Sequence, residues 1–457
     1  MMSDQTKPAW KCAVCGYIHD GVEPPKTCPE CGADRSQFHL FKQTYQEEPA
    51  PPPADPAAKH YVIVGAGIAG VSAAEAIHKN DPLANILLLS KEPELPYFRM
   101  NLTRYLAGEV EANKLDLHNQ AWYQQNRIEL RLNTTVTDIM PAKKMLILDN
   151  KAKIPYDILV LATGASPFLP PFPGKDLDGV QTLRTIHDAD SILAACCEPI
   201  PVVCIGGGLL GLEVAGAIAR RGVMVTVVES LAWLLPRQLD QPASLILQSK
   251  IEKMGIAVIT GAKTKALVGD GHVQAVELED GRSLPASLVV ISAGVSANVD
   301  LARKAGLEVN RGILVDDHMR TSLPGIFAAG DEAEHHGRLY GLWVPAKSQG
   351  TIAGLSAAGK DAVYPGDPPS ARLKVLGIDL FSIGQFMPEQ PSDLLVSEEK
   401  DGNYACFIFR EGKMIGAILL GDAKLASTVK TAVESERDFS DLLHEKLSVD
   451  KVKAALK

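Results

Sequence analysis

Four cysteines near the amino terminus have the spacing of a metal site. Cys12 and Cys15 form one C-x2-C pair, Cys28 and Cys31 form a second, and twelve residues separate the two pairs. Four thiolates on two tight turns can close a tetrahedron around one ion, and the glycine after each pair lets backbone N–H groups turn toward sulfur. The spacing therefore predicts a four-thiolate metal site, and it leaves open whether the ion is iron or zinc.

Two glycine-rich turns indicate two nucleotide-binding sites. In each case an apolar strand leads into a G-x-G-x-x-G pattern that opens a helix, and a second strand follows. Such glycines let the backbone approach a pyrophosphate, whose negative charge the helix N-terminus stabilises. The glycines are Gly65, Gly67 and Gly70 in the first turn, and Gly206, Gly208 and Gly211 in the second. The repetition predicts a duplicated dinucleotide-binding domain.

Acidic residues after the second strand of each unit bear on the choice of nucleotide. Glu229 closes the strand after the second turn, where a carboxylate can accept from a ribose 2′-hydroxyl, and no arginine follows it. The second site is therefore predicted to prefer NADH over NADPH. At the first site Ser90 closes the strand and Glu92 lies two residues further on, so Glu92 is the candidate for the ribose contact there.

Composition and charge limit the class of protein. The chain has 457 residues, 46% hydrophobic and 22% charged, which suggests about three globular domains and excludes disorder over its whole length. The net charge is −9 without a basic tract, so we expect no nucleic-acid partner. Residues 202–219 are apolar but contain five glycines and Glu213, and residues 1–10 lack the apolar segment of a secretory signal. We therefore expect no membrane partner and a cytoplasmic location.

Sequence around these motifs resembles known families. Residues 10–17 and 28–33 resemble rubredoxin, and the short interval between the cysteine pairs is similar to the rubredoxin module of rubrerythrins. Residues 158–164 and 325–331 resemble the two FAD-domain signatures of the pyridine nucleotide-disulphide oxidoreductase superfamily. Within that superfamily the chain is most similar to the NADH:rubredoxin oxidoreductase family, through residues 311–322 and 346–350. The resemblance implies FAD at the first turn, NADH at the second and iron in the cysteine site, with zinc as the alternative.

The resemblance also implies a domain order. The fold class is α/β, with two Rossmann-like dinucleotide-binding domains, a small N-terminal rubredoxin-like metal domain and an α+β C-terminal domain. The expected bounds are 1–45 for the metal domain, 46–59 for a proline-rich linker, 60–168 and 296–365 for the FAD domain, 169–295 for the NAD domain and 366–457 for the C-terminal domain. The linker predicts that the metal domain can dock and undock, although an inert spacer has the same composition.

Individual site residues follow from the same resemblance. It implies that Arg99 contacts FAD, that Asp331 accepts from the ribityl hydroxyls, and that Glu213 lies beside the flavin near the nicotinamide. The cofactor-binding residues that it adds to the glycines and Glu229 are Glu92, Arg99, Thr163, Gly164, Gly294, Gly330 and Asp331. Arg104 stands where several relatives have a lysine that pairs with the glutamate. Arg104, Glu213 and Trp343 form the predicted catalytic set.

Trp343 and five histidines each have two interpretations. In the functional one, the Trp343 ring covers the flavin where a one-electron acceptor docks; in the other, the ring only fills space in the core. His118, His187, His318, His335 and His336 lack metal-ligand spacing, and hydride transfer to a flavin needs no enzyme base. We expect structural or surface roles for the histidines.

The predicted function is electron transfer from NADH through FAD to the fused iron centre and on to an external redox protein. By resemblance the acceptors include rubrerythrin, superoxide reductase and flavodiiron-type proteins; the sequence also allows a homo-oligomer. One alternative is an NADH oxidase or peroxidase, which the absence of cysteine from residues 60–195 disfavours. Another is a flavoprotein that carries a structural zinc ribbon for docking only.

Overall fold

The computed structural model describes residues 8–12, 17–28, 34–41, 58–198, 200–366, 370–373, 376–443 and 447–456. Cys15, Cys31 and residues 46–57 of the predicted linker lie outside these ranges. The chain divides into two compact units. The first comprises Met1–Met100, Asn113–Ser166 and Val295–Asp367, and the second comprises Asn101–Ala112, Pro167–Gly294 and Pro368–Lys457.

The N-terminal part of the first unit is a small antiparallel sheet. Its strands are β1 (Ala9–Cys12), β2 (Ile18–Asp20) and β3 (Phe38–Phe41), in the order β2-β1-β3. Cys12 ends β1, and its side chain is buried together with those of Cys28 and Phe38. The two thiols therefore form part of the small core of this sheet.

Strand, glycine turn, helix and strand alternate in the next stretch, as the sequence predicts. The elements are β4 (His60–Val64), α1 (Ile68–Asn80), β5 (Asn85–Leu89), α2 (Leu102–Leu106), α3 (Gln120–Gln125), β6 (Ile128–Arg131), β7 (Val136–Met140), β8 (Met145–Leu148), β9 (Lys153–Pro155), β10 (Ile158–Leu161) and β11 (Ala165–Pro167). Helix α1 ends at Asn80, and Ile77 continues its buried face.

The middle of the chain repeats this plan in the second unit. Its elements are β12 (Val180–Gln181), α4 (Ile186–Ala195), β13 (Pro201–Ile205), α5 (Leu209–Ala219), β14 (Met224–Val228), α6 (Gln241–Glu252), β15 (Ala257–Ile259), β16 (Thr264–Asp270), β17 (His272–Leu278), β18 (Ser283–Pro285) and β19 (Leu288–Ile291). A parallel sheet has the order β12-β19-β13-β14-β15, and β16-β17-β18 forms an antiparallel sheet.

The chain then returns to the first unit. The elements are β20 (Val295–Ala297), α7 (Asp300–Lys304), β21 (Ile313–Val315), β22 (Ile326–Ala328), β23 (Ala333–His335) and α8 (Trp343–Ala357). Strand β22 pairs with β10 and completes a parallel sheet of order β22-β10-β4-β5-β6. Its central strands are apolar on both faces, which parallel sheets covered on both sides require.

The last stretch forms an antiparallel sheet with helices. Its elements are β24 (Ser370–Leu373), β25 (Leu380–Gly384), β26 (Leu394–Lys400), β27 (Asn403–Arg410), β28 (Lys413–Leu420), α9 (Ala426–Glu434), α10 (Ser440–Leu443) and α11 (Val449–Ala455). The strand order is β24-β25-β28-β27-β26, and apolar residues of α9 and α11 pack against the sheet. The predicted α/β class with an α+β C-terminal domain is confirmed.

Two features of the chain bear on other predictions. Residues 101–112 pack with the second unit, whereas the sequence-based bounds include them in the FAD domain; those bounds stay a prediction. Among the described residues, no helix combines the length and the apolar character needed to cross a bilayer.

Helices α1 and α8 approach each other closely through glycine. A Cβ atom on Gly350 would overlap the carbonyl oxygen of Ala69, and a Cβ atom on Gly354 would overlap the carbonyl oxygen of Ala73. Backbone therefore meets backbone, and no side chain can be accommodated at either glycine without moving a helix. This contact fixes the start of α8 relative to the first glycine turn.

Gly350→Ala tests this close approach. Alanine has a higher helix propensity than glycine, but its Cβ atom would meet fixed backbone here. We therefore expect the free energy of unfolding to fall by about 1–3 kcal/mol. Thermal unfolding of the purified full chain measures the change. Ser348→Ala on the same helix adds no atom and should stay within about 0.5 kcal/mol of the wild type. A wild-type melting temperature for Gly350→Ala would contradict the packing argument.

Candidate functional site

The first glycine turn leaves an open helix N-terminus. Gly65 has φ +108°, and a Cβ atom there would overlap the carbonyl oxygen of Ala162. A Cβ atom on Gly70 would overlap the carbonyl oxygen of Gly65, so the turn closes tightly on itself. Gly67 caps α1 without a side-chain hydrogen bond, and nothing lies within 4 Å of the place of its Cβ. The free space and the uncapped N–H groups fit a pyrophosphate.

The second turn has the same geometry. Gly206 has φ +113° and lies against the carbonyl oxygen of Ser292, and Gly211 lies against the carbonyl oxygen of Gly206. Gly208 caps α5 without a side-chain hydrogen bond and faces open space. The two predicted glycine sets therefore form two turns of equivalent geometry, one in each unit, and each leaves open space at a helix N-terminus.

Glu229 lies at the second turn, as predicted. Its side chain is 7% exposed, and its carboxylate accepts hydrogen bonds from the backbone N–H of Gly207 (2.7 Å) and of Leu231 (2.7 Å). Ser230 Oγ also donates to Oε1 at 3.3 Å, so the second lone pair of Oε2 is the acceptor left for a ribose hydroxyl. The bonds fix the carboxylate beside the glycine turn.

Glu92 and Arg99, both predicted to contact FAD, form an ion pair with each other. Arg99 Nη2 lies 2.6 Å from Glu92 Oε1, and the Tyr97 hydroxyl donates to Glu92 Oε2 at 2.7 Å. The Arg99 guanidinium also lies over the Tyr97 ring, 4.8 Å from its centroid. Asp331 is close enough for its charge to act on Arg99. The structure therefore brings three predicted FAD residues into one polar cluster.

The two FAD signatures meet at the ends of β10 and β22. Thr163 Oγ1 donates to the carbonyl oxygen of Asn298 at 3.0 Å, and Asn298 Nδ2 donates to the carbonyl oxygen of Thr163 at 2.8 Å. Gly330 N donates to Gln349 Oε1 on α8 at 2.9 Å. Gly294 is the last residue of the Pro167–Gly294 segment of the second unit, with φ +104° and open space around its Cβ position.

Glu332 is a buried acid that the sequence interpretation missed. Its side chain is 0% exposed, Oε2 accepts from Gly164 N at 2.7 Å, and Oε1 has no hydrogen-bond partner in the described part of the chain. Burial raises the pKa of Glu332 to about 8, and the neighbouring charge of Asp331 acts in the same direction. A glutamate directly after the Gly330-Asp331 signature is the only sequence signal for it.

Arg104 and Glu213 lie on adjacent helices of the second unit, α2 and α5. Glu213 Oε2 accepts from Thr103 Oγ1 at 3.3 Å, and Arg104 Nε lies 3.2 Å from Glu109 Oε2. Glu109 also pairs with Arg220. The packing brings the predicted arginine and glutamate close in the fold and adds Glu109 as an acidic partner that the sequence interpretation missed.

Trp343 packs against the N-terminal sheet at the predicted metal site. The side chains of Cys12 and Cys28, 1% and 0% exposed, form a cluster with Phe38, and Trp343 contacts that cluster. The Trp343 ring also stacks on Phe98, with centroids 5.5 Å apart. Two predicted metal ligands are thus side by side, as a four-thiolate site requires, while Cys15 and Cys31 lie outside the described residues.

Three family models match successive segments of the chain. Residues 59–350 match the pyridine nucleotide-disulphide oxidoreductase family. The chain belongs to the pyridine nucleotide-disulphide oxidoreductase family. Residues 369–437 match the rubredoxin NAD+ reductase C-terminal domain, and residues 10–39 match the rubredoxin-like domain of rubrerythrin. The predicted family resemblance and the fused rubredoxin-like domain are confirmed.

Relatives in this oxidoreductase family differ in length. The chain is 37% identical over 388 residues to the nitrite reductase (NAD(P)H) of Bacillus subtilis, covering 84% of this chain and 48% of that protein. It is 33% identical over 382 residues to the NADH-rubredoxin oxidoreductase of Clostridium acetobutylicum, covering 83% of this chain and 96% of that protein. The chain spans about half the length of the Bacillus subtilis nitrite reductase and of the assimilatory nitrate reductase electron transfer subunit from the same organism.

A solved structure shares the fold. The crystal structure of NADH:rubredoxin oxidoreductase from Clostridium acetobutylicum matches with a TM-score of 0.74 at 30% identity, covering 87% of this chain and 100% of that one. The two open glycine turns have the geometry of the dinucleotide-binding turn of the Rossmann fold.

Glu332→Gln tests the buried acid. Because the pKa of Glu332 is raised to about 8, the folded protein keeps a proton that the unfolded chain releases near pH 4.5, so stability falls as pH rises between these values. Glutamine retains an acceptor for Gly164 N and cannot ionise. Between pH 6 and 8.5 the variant should therefore lose less thermal stability than the wild type, by a few degrees in calorimetry.

Glu334→Gln is the matched control for Glu332. Burial alone would raise the pKa of Glu334, but hydrogen bonds from Gly312, Asn310 and Arg311 lower it overall. Its ionised form therefore stabilises the fold above pH 4.5, and the substitution should lower the melting temperature throughout that range. If Glu332→Gln followed the wild-type pH dependence, the buried acid would not be protonated in the folded state.

Proposed function

We propose that this chain is an NADH-dependent electron-transfer flavoprotein whose electrons leave through iron in its own rubredoxin-like domain. Bound FAD supplies hydride acceptance from NADH, and iron held by four thiolates supplies one-electron transfer. Cys12, Cys15, Cys28 and Cys31 would hold the iron. The observation that carries the proposal is the contact of Trp343 with the cluster of Cys12, Cys28 and Phe38.

Chain residues have separate tasks in this function. The open N-termini of α1 and α5, at Gly67 and Gly208, bind the two pyrophosphates, and Glu229 orients the NADH ribose. Arg99, held by Glu92, contributes positive charge to the first site. Arg104 and Glu213 are proposed to orient the nicotinamide side.

The route out of the flavin domain runs past aromatic side chains. Phe98 and Trp343 stack on each other, and Trp343 continues into the packing around Cys12. These packed contacts between the aromatic rings and the cysteine cluster are the proposed path for the electron. The names of relatives support NADH and rubredoxin-type redox proteins as partners, and the proposed external acceptors are rubrerythrin, superoxide reductase and flavodiiron-type proteins.

Glu229→Ala tests the choice of nucleotide. The carboxylate would repel a 2′-phosphate and accept from a 2′-hydroxyl, so the wild type should reduce its flavin far more efficiently with NADH than with NADPH. Alanine should raise KM for NADH by about ten-fold, the loss of one charged hydrogen bond, and narrow the preference. Steady-state kcat/KM for both nucleotides measures this. Equal wild-type efficiency with NADH and NADPH would overturn the assignment.

Trp343→Leu tests the electron route. In stopped flow, flavin reduction by NADH should stay near the wild-type rate, while electron transfer to the iron should slow by about ten-fold or more, since the packed path is broken. Trp233→Leu is the control. Trp233 lies in the second unit and donates a hydrogen bond to the Leu239 carbonyl oxygen, and its replacement should leave the rate of electron transfer to the iron unchanged. If both steps kept wild-type rates and only stability fell, Trp343 would be a packing residue.

The metal itself provides a further control. Iron should give a thiolate-to-iron charge-transfer band that bleaches after NADH addition, and the zinc-loaded protein should reduce its flavin but not one-electron protein acceptors. Stoichiometric zinc in protein purified from its native host would support the zinc-ribbon alternative instead.

A further inference from the structure

Two histidines and an aspartate converge at the end of strand β23. His335 Nε2 lies 2.8 Å from Asp317 Oδ1, and His336 Nε2 lies 2.6 Å from the same oxygen. All three atoms are within 4.8 Å of one another. The sequence predicts structural or surface roles for both histidines, because the third group of the cluster is eighteen residues away in the chain. Imidazole and carboxylate together are a ligand set for divalent transition-metal ions.

Backbone hydrogen bonds fix the two segments that carry these side chains. Strands β21 and β23 pair in parallel with Val315 opposite His335, and Asp317 follows two residues after Val315. The carbonyl oxygen of Asp317 accepts from Tyr364 N at 2.8 Å. After β23 the chain reverses in a tight turn, in which His335 and Arg338 exchange backbone hydrogen bonds of 3.1 and 2.9 Å. The cluster is therefore held at two points of the first unit.

The three side chains differ in exposure. The His335 side chain is 2% exposed, and its ring lies between the rings of His336 and Tyr364, with centroids 4.1 and 5.1 Å away. The side chains of His336 and Asp317 are 71% and 48% exposed. One donor is thus fixed by packing, and the other two face solvent. An ion can reach the cluster from solvent and keep water on its open side.

The distances suit a shared ion. Two neighbouring donors in an octahedral shell, each about 2.1 Å from the ion, lie about 3.0 Å apart. The two distances from Nε2 to Oδ1 are slightly shorter than this, and a small rotation of Asp317 would open them. His336 is exposed, so its ring can move toward His335 without repacking the core. The fixed position of His335 therefore sets where the ion would lie.

Protons now occupy the positions that an ion would take. Hydrogen bonds from the two histidines lower the pKa of Asp317, so its carboxylate is ionised and accepts from both Nε2–H groups. Nitrogen that binds a metal must give up this proton, and a neutral ring then carries its proton on Nδ1. His335 Nδ1 is buried and has no hydrogen-bond partner in the described part of the chain. Lack of such a partner weakens metal binding by about 10–100-fold, so we expect micromolar affinity.

We propose that Asp317, His335 and His336 form a binding site for one divalent transition-metal ion, distinct from the four-thiolate site. The ion would join the segment after β21 to the turn after β23, and it would stabilise the folded chain. The site shares no residue with the glycine turns or the cysteine pairs. The proposal therefore does not rest on the proposed function.

Nickel binding to the untagged full chain tests the site. The protein is prepared with FAD bound and with zinc in the four-thiolate site, so that added Ni²⁺ meets no vacant thiolates. Titration calorimetry should show one equivalent of Ni²⁺ bound with micromolar Kd. X-ray absorption at the nickel edge should show imidazole nitrogen and oxygen at about 2.1 Å from the ion, and no sulfur. Sulfur neighbours, or no binding at about 1 mM Ni²⁺, would overturn the proposal.

Two variants locate the binding. His336→Ala and Asp317→Asn change side chains that face solvent, and each should raise Kd for Ni²⁺ by at least about ten-fold. His187→Ala removes an exposed histidine of α4 and is the matched control, whose Kd should equal that of the wild type. Excess Ni²⁺ should raise the melting temperature of the wild type and of His187→Ala by a few degrees more than that of His336→Ala. An unchanged Kd in either His336→Ala or Asp317→Asn would show a hydrogen-bonded cluster that holds no metal.

Discussion

The carbonyl oxygen of Ala162 occupies the space where a side chain at position 65 would stand, and this constraint governs the first unit. It forces a glycine into a left-handed conformation, turns the chain sharply at the end of β4, and brings the N-terminus of α1 to the sheet edge. The Ser292 carbonyl does the same for Gly206 in the second unit. Because backbone lies against backbone at both turns, each helix N-terminus faces open space with its N–H groups available to an anion.

Three buried glutamates accept hydrogen bonds from the backbone N–H groups of glycines. Glu229 accepts from Gly207 N, Glu332 accepts from Gly164 N, and Glu334 accepts from Gly312 N at 2.8 Å. A buried carboxylate needs hydrogen-bond donors. A tight loop rich in glycine has backbone N–H groups that need acceptors, and its glycines have no side chains to supply them. The acids and the loops therefore stabilise each other, and the environments differ enough to move the pKa of Glu332 up and that of Glu334 down.

The sequence predicts most of the fold because its signals are local. The glycine turns, the flanking strands and Glu229 all lie within short stretches whose spacing has one mechanical explanation. Contacts between distant segments were not predictable in this way. Nothing near Trp343 in the chain indicates its contact with the cluster of Cys12, Cys28 and Phe38, and nothing near Glu332 indicates that it accepts from Gly164 N, which is far away in sequence. The bounds of the domains and the roles of Arg104, Glu213 and Trp343 stay predictions, since geometry alone does not assign a chemical role.

The strand order β22-β10-β4-β5-β6 has a consequence for how the protein is made. Strand β22 emerges from the ribosome roughly 160 residues after β10, which at about 5–20 residues per second is on the order of ten seconds. During that time the hydrogen-bonding edge of β10 lacks its native neighbour, and the face of α1 that α8 will cover is exposed. The nascent flavin-binding unit is therefore open to misassociation until the whole nucleotide-binding insert has been synthesised, and chaperone dependence should be concentrated in that interval.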